Sequence, residues 1–74
     1  MKINTESKQK KIQIRLMTLR QEAEMSQDAL AQKAGIERKT VNRIENGHFS
    51  PNLDTLLRLC QALRVKPEEL LKGL

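Results

Sequence analysis

The sequence predicts an all-α fold, a compact domain of five helices, and three observations carry that expectation. Apolar residues recur at helical spacing along the chain, and no run alternates apolar and polar residues as a half-buried strand would. Residues that start helices (Ser26, Asn52, Pro67) and residues that end them (Gly35, Gly47) fall between those apolar stretches. The 74 residues suffice for one packed core.

The first helix is expected over about residues 7–24, where Ile12, Leu16, Leu19 and Ala23 fall on one stripe. Residues 1–11 read as a basic N-terminal arm or as the start of this helix, with Lys2, Lys8, Lys10 and Lys11 free to follow a polyanion. A second helix is expected over residues 27–34. Ser26 supplies its N-cap hydroxyl, Asp28 sits by the positive end of its dipole, and Gly35 accepts the positive φ of a sharp turn. A third follows up to Asn46 and Gly47, which close it. The fourth, capped by Asn52, presents Leu53, Leu56, Leu57, Cys60 and Leu63 as its apolar face. The fifth opens at Pro67, followed by Glu68 and Glu69, and carries Leu70, Leu71 and Leu74. Phe49 is expected to plug the core between helices three and four. Leu71, Leu74 and the off-stripe Leu59 exceed the needs of the core and are candidates for a dimer contact.

Composition removes several classes of function. Fourteen Lys and Arg against nine Asp and Glu give a net charge of +5, which favours polyanionic partners. No apolar run approaches the ~20 residues of a membrane span, and no apolar leader segment stands near the N-terminus, so a cytoplasmic protein without membrane contact is expected. One cysteine and one histidine allow neither a disulfide, nor a metal cluster, nor a Cys/His or Ser/His/Asp arrangement. No catalytic residue, metal or cofactor is expected. With Phe49 as the single aromatic there is no stacking platform for single strands, so a duplex is the favoured nucleic acid.

The third helix is short and highly charged. At about 100° per residue, Arg38, Lys39, Asn42, Arg43 and Asn46 share an arc of about 140°, while Thr40, Val41 and Ile44 occupy another of about 100°. One face packs and the other presents donors. Arg38 and Arg43 have the fork that hydrogen-bonds guanine, Asn42 has the amide that pairs with adenine, and Lys39 reaches guanine or phosphate. These four are the candidate base contacts. Thr40, at the border of the arcs, and Asn46 are candidates for backbone phosphate. Two helices crossing at a short turn need a small residue at the crossing and a glycine in the turn, which Ala31 and Gly35 provide. Val41 and Ile44 then pack back on Leu30 and the first helix.

The stretch SQDALAQKAGIERKTVNRIENG, residues 26–47, followed by Pro51 and the spacing LDTLLRLCQAL, resembles the helix-turn-helix of the phage repressor and Cro (XRE-type) family. The resemblance spans about residues 12–74, with the motif itself at 27–46, and departs at Glu37 and Lys66, where a small capping residue is usual. It implies a five-helix repressor-like domain that lays its third helix in the major groove, as a homodimer on a two-fold symmetric operator. It also implies phosphate contacts from Gln27 and His48, and an ion pair of Arg20 with Glu45 that sets Arg20 near phosphate. Leu30, Ala31, Gly35, Val41, Ile44 and Glu45 hold the motif together. The expected function is a sequence-specific regulator of transcription, acting as a repressor on double-stranded DNA. The alternatives are an antitoxin with a toxin partner or a restriction-modification controller built on the same domain, and a helical adaptor whose basic face binds an acidic protein.

Overall fold

The computed structural model describes residues 5–73. Within them the order is α1 (Thr5–Glu22), α2 (Gln27–Ala34), α3 (Arg38–Glu45), α4 (Leu53–Leu63) and α5 (Pro67–Leu71), with no strand among the described residues. The caps that define these ends are visible as bonds. Ser26 Oγ accepts from the Ala29 amide at 3.0 Å and Asn52 Oδ1 from the Thr55 amide at 2.8 Å, so α2 and α4 each start with one orphan N–H satisfied. Gly35 ends α2 at φ +70°, and the Ile36 amide folds back onto the Ala31 carbonyl at 3.0 Å. Gly47, at φ +75°, closes α3 in the same way, with the His48 amide on the Arg43 carbonyl at 2.8 Å. Arg64 takes the equivalent left-handed position after α4 without being glycine.

The core is built from Leu16 of α1, Leu30, Ala31 and Ala34 of α2, and Val41 and Ile44 of α3. Leu59, Cys60, Ala62 and Leu63 of α4 and Leu70 of α5 complete it. Helix α2 packs on both α3 and α4, while α1 crosses α3 and reaches α5, where Arg15 Nη1 donates to the Leu70 carbonyl at 3.1 Å. Ala31, 1% exposed, has no room around its methyl, which is what lets α2 and its neighbours approach so closely.

The closing of α3 by its C-cap Asn46 and by Gly47 is as expected, while three other expectations are corrected. Helix α1 ends at Glu22, not Glu24; Ala23 is exposed, and Glu24 turns the chain at φ 56°. On α4, Leu53 is 69% and Leu57 44% exposed, whereas Leu59 is fully buried and is no dimer contact. At about 100° per residue Leu59 lies about 60° to one side of Leu56 and Leu57 about 100° to the other. The Leu59 side is the one that enters the core, with Cys60, Ala62 and Leu63. Phe49 is 43% exposed and lies at the edge of the core, along a groove with Ile12, Ile44, Pro51 and Leu56, rather than inside it. Lys8, Lys10 and Lys11 stand on α1 and not on an extended arm; Lys2 and Leu74 lie outside the described residues.

Candidate nucleic-acid interface

Helix α3 divides sharply. Val41, Ile44 and Glu45 are buried at 0, 3 and 2% exposure, and Thr40 is half-buried at the border. Arg38, Lys39, Asn42, Arg43 and Asn46 are exposed. Among the described residues the side chains of Arg38, Lys39 and Arg43 have no hydrogen-bond or ion-pair partner, so three cations on a helix of eight residues face solvent together. The helix begins at Glu37 through its carbonyl, which accepts from the Thr40 amide at 3.0 Å; the Glu37 side chain caps nothing. His48 is exposed in the loop beyond Gly47, at the other end of α3.

Beside this face lies a polar network reaching into the core. The Arg20 guanidinium straddles the Glu45 carboxylate, Nε to Oε2 at 2.7 Å and Nη2 to Oε1 at 2.9 Å, while its Nη1 donates to the Met25 carbonyl at 2.8 Å. The carboxylate is 1% exposed and the guanidinium side chain 13%. Hydrogen bonding to Glu45 holds the Arg20 pKa above its ordinary value, against the opposing effect of burial, and the charge of Glu45 adds to it. A buried pair of this kind orients the helices it joins and adds little net stability by itself.

Gln27 Nε2 also donates to Glu45 Oε1, at 3.0 Å, and Gln27 Oε1 accepts from Asn42 Nδ2 at 3.2 Å. Asn46 Nδ2 returns to the Asn42 carbonyl at 2.8 Å, and Gln13 Nε2, from α1, donates to the Glu45 carbonyl at 2.6 Å. The fold therefore joins Arg20, Gln27, Asn42, Glu45 and Asn46 in one chain of bonds, with Arg38, Lys39 and Arg43 beside it and His48 apart. Gln13 is a member of this network that sequence patterning does not mark. Its one signal is its position next to Ile12, at the edge of the α1 stripe, where an amide can meet the carbonyl end of another helix.

Arg20, Ser26, Gln27, Asp28 and Arg38 line a shallow notch at the N-terminal end of α2. Partial positive charge from the helix end and the Arg38 guanidinium favour an anion there, while Glu45 compensates the Arg20 charge and the Asp28 carboxylate opposes an anion. No group of three or more His, Cys, Asp or Glu among the described residues could hold a metal ion, and no described helix is long and apolar enough to cross a membrane.

The helix-turn-helix family model matches residues 16–70. An uncharacterised HTH-type transcriptional regulator, YgzD of Bacillus subtilis (strain 168), is 39% identical over 44 residues, 60% of this chain and 67% of that protein. The restriction-modification controller protein C.AhdI from Aeromonas hydrophila superposes with a TM-score of 0.83 at 34% identity, over 86% of this chain and 97% of its own. The P22 c2 repressor, solved in complex with a synthetic operator, superposes with a TM-score of 0.75 at 31% identity, over 84% of this chain and 94% of its own.

Proposed function

We propose, from the premise that the chain belongs to the helix-turn-helix family and is a DNA-binding transcriptional regulator, that it reads a specific duplex operator with the exposed face of α3. The observation that carries this reading is the pairing of a buried Val41, Ile44 and Glu45 with three partnerless cations on the opposite face of one short helix. Charges that only keep a helix in water need no such concentration on one face. In the major groove Arg38 and Arg43 fork onto guanine edges, Asn42 meets an adenine edge, and Lys39 meets guanine or phosphate. Arg20, Gln27, Thr40 and Asn46, with His48 in the loop beyond α3, hold the flanking phosphates, which set register without reading sequence. The protein acts in the cytoplasm as a homodimer on a two-fold symmetric site, represses by occupying it, and needs no cofactor and no catalysis.

The restriction-modification controller is a second reading, favoured by the match to C.AhdI over nearly all of that protein. Selection of bound duplexes from a random pool tests both. A symmetric dimer enriches inverted repeats whose half-site centres lie about 34 Å, one helical turn, apart. Enrichment of single asymmetric half-sites would remove the dimer, and no enrichment at all would remove sequence reading. An operator upstream of a restriction-modification gene pair would favour the controller.

A further inference from the structure

The geometry points to Gln27 as a positioning residue for base readout, one that sets which way the Asn42 amide faces; the inference rests on the reading of α3 as the groove-facing helix. It starts from the buried carboxylate. Both oxygens of the Glu45 carboxylate accept from the Arg20 fork, at 2.7 and 2.9 Å, and so present acceptors to any further neighbour. The Gln27 amide beside it must therefore turn its NH2 inward, to Oε1 at 3.0 Å, which leaves its oxygen on the outer side. That oxygen also only accepts, so the Asn42 amide must turn its NH2 toward it, at 3.2 Å. The one Asn42 side-chain atom left without a partner is then Oδ1, on the exposed face of α3.

A solvated asparagine presents its oxygen or its NH2 with equal ease, because the two orientations differ by a half-turn of the amide. Here the choice is made in the core and passed outward through two amides. An oxygen aimed at a base edge accepts from an exocyclic amine, N6 of adenine or N4 of cytosine, and is repelled by O6 of guanine or O4 of thymine. The second hydrogen of the Asn42 NH2 remains for N7 of adenine. The relay therefore selects an amine-bearing base opposite Asn42 and disfavours its carbonyl-bearing counterpart. Gln27 does this without touching the base. A phosphate contact alone, the role the resemblance implies for it, would hold all duplexes equally.

Two substitutions separate the two roles. Gln27→Met keeps the length of the side chain and removes both amide functions. Gln27→Lys keeps a donor for Glu45 and removes the acceptor for Asn42. Selection with the wild type and with Asn42→Ala first identifies the base pair that Asn42 reads. Both Gln27 variants should then lose about five- to tenfold in preference at that same pair and keep their other preferences. Combining either with Asn42→Ala should cause no further loss there. Gln27→Lys should show this loss even as its added charge tightens binding to every duplex. The proposal is overturned if Gln27→Met weakens preferred and scrambled duplexes alike with every base preference intact, or if its loss adds to that of Asn42→Ala. A wild type without sequence preference would overturn the groove-facing reading itself, and this inference with it.

Discussion

Glu45 loses its water on burial, and the Arg20 fork and the Gln27 amide replace the hydrogen bonds that solvent gave it. Cys60 is buried with no such replacement. Burial pushes its thiol pKa up, and the negative charge of Glu69 pushes the same way. A group whose pKa is raised by folding contributes its stability in full below the pKa of the unfolded chain and loses it as pH rises through the folded value. For a thiol that window opens above about pH 8.5. The melting temperature should therefore fall more steeply above that pH in the wild type than in Cys60→Val, which packs without ionising. A thiol reagent at neutral pH should label the native protein only as fast as it unfolds. Rapid stoichiometric labelling without denaturant would contradict the buried placement. The burial of Cys60 was legible from its place among the leucines of α4. The Gln27–Asn42 bond was not, since it depends on where α2 lies against α3 to within a fraction of an ångström.

At the scale of elements, the two glycine turns around α3 differ in what surrounds them. Both have positive φ, +70° at Gly35 and +75° at Gly47, so alanine at either is strained by about 1–2 kcal/mol. A Cβ at Gly35 would meet only the flexible end of Arg58, at 3.3 Å. At Gly47 it would lie 2.9 Å from Gln13 Oε1, and the same amide donates to the Glu45 carbonyl. Gly47→Ala should therefore cost more than Gly35→Ala by roughly one hydrogen bond, about 0.5–1.5 kcal/mol, measured by chemical denaturation. Equal losses would show that Gln13 yields freely. The starts of α2, α4 and α5 and the ends of α2 and α3 were legible because specific side chains and glycines mark them. The ends of α1 and α4 were not, since Glu24 and Arg64 take left-handed conformations without the residue that advertises one. The buried face of α4 was ambiguous for a different reason. Leucines at 53, 56, 57, 59 and 63 span about 160° of its circumference, wider than the strip that is buried, so the packing of the other helices, rather than periodicity, decides which of them is core.

At the scale of the whole molecule, two groups of basic residues have different expected effects on DNA binding. Lys8, Lys10 and Lys11 lie on the N-terminal part of α1, which Gln9 ties to the loop after α3 through Ser50 Oγ at 2.9 Å. These lysines can only neutralise phosphates. Replacing them with alanine should weaken all duplexes similarly and flatten the salt slope by about 0.9 for each phosphate no longer neutralised, with base preference intact. Arg38 and Arg43, projecting from α3, are proposed to read bases. The direct test is a salt series on the preferred and a scrambled duplex for Arg38→Ala and Arg43→Ala. Each variant should lose about 1–3 kcal/mol on the preferred duplex, relax preference at one base position, and change much less on the scrambled one. Equal weakening on both duplexes, with the original preference retained, would mean that α3 grips phosphate and does not read sequence.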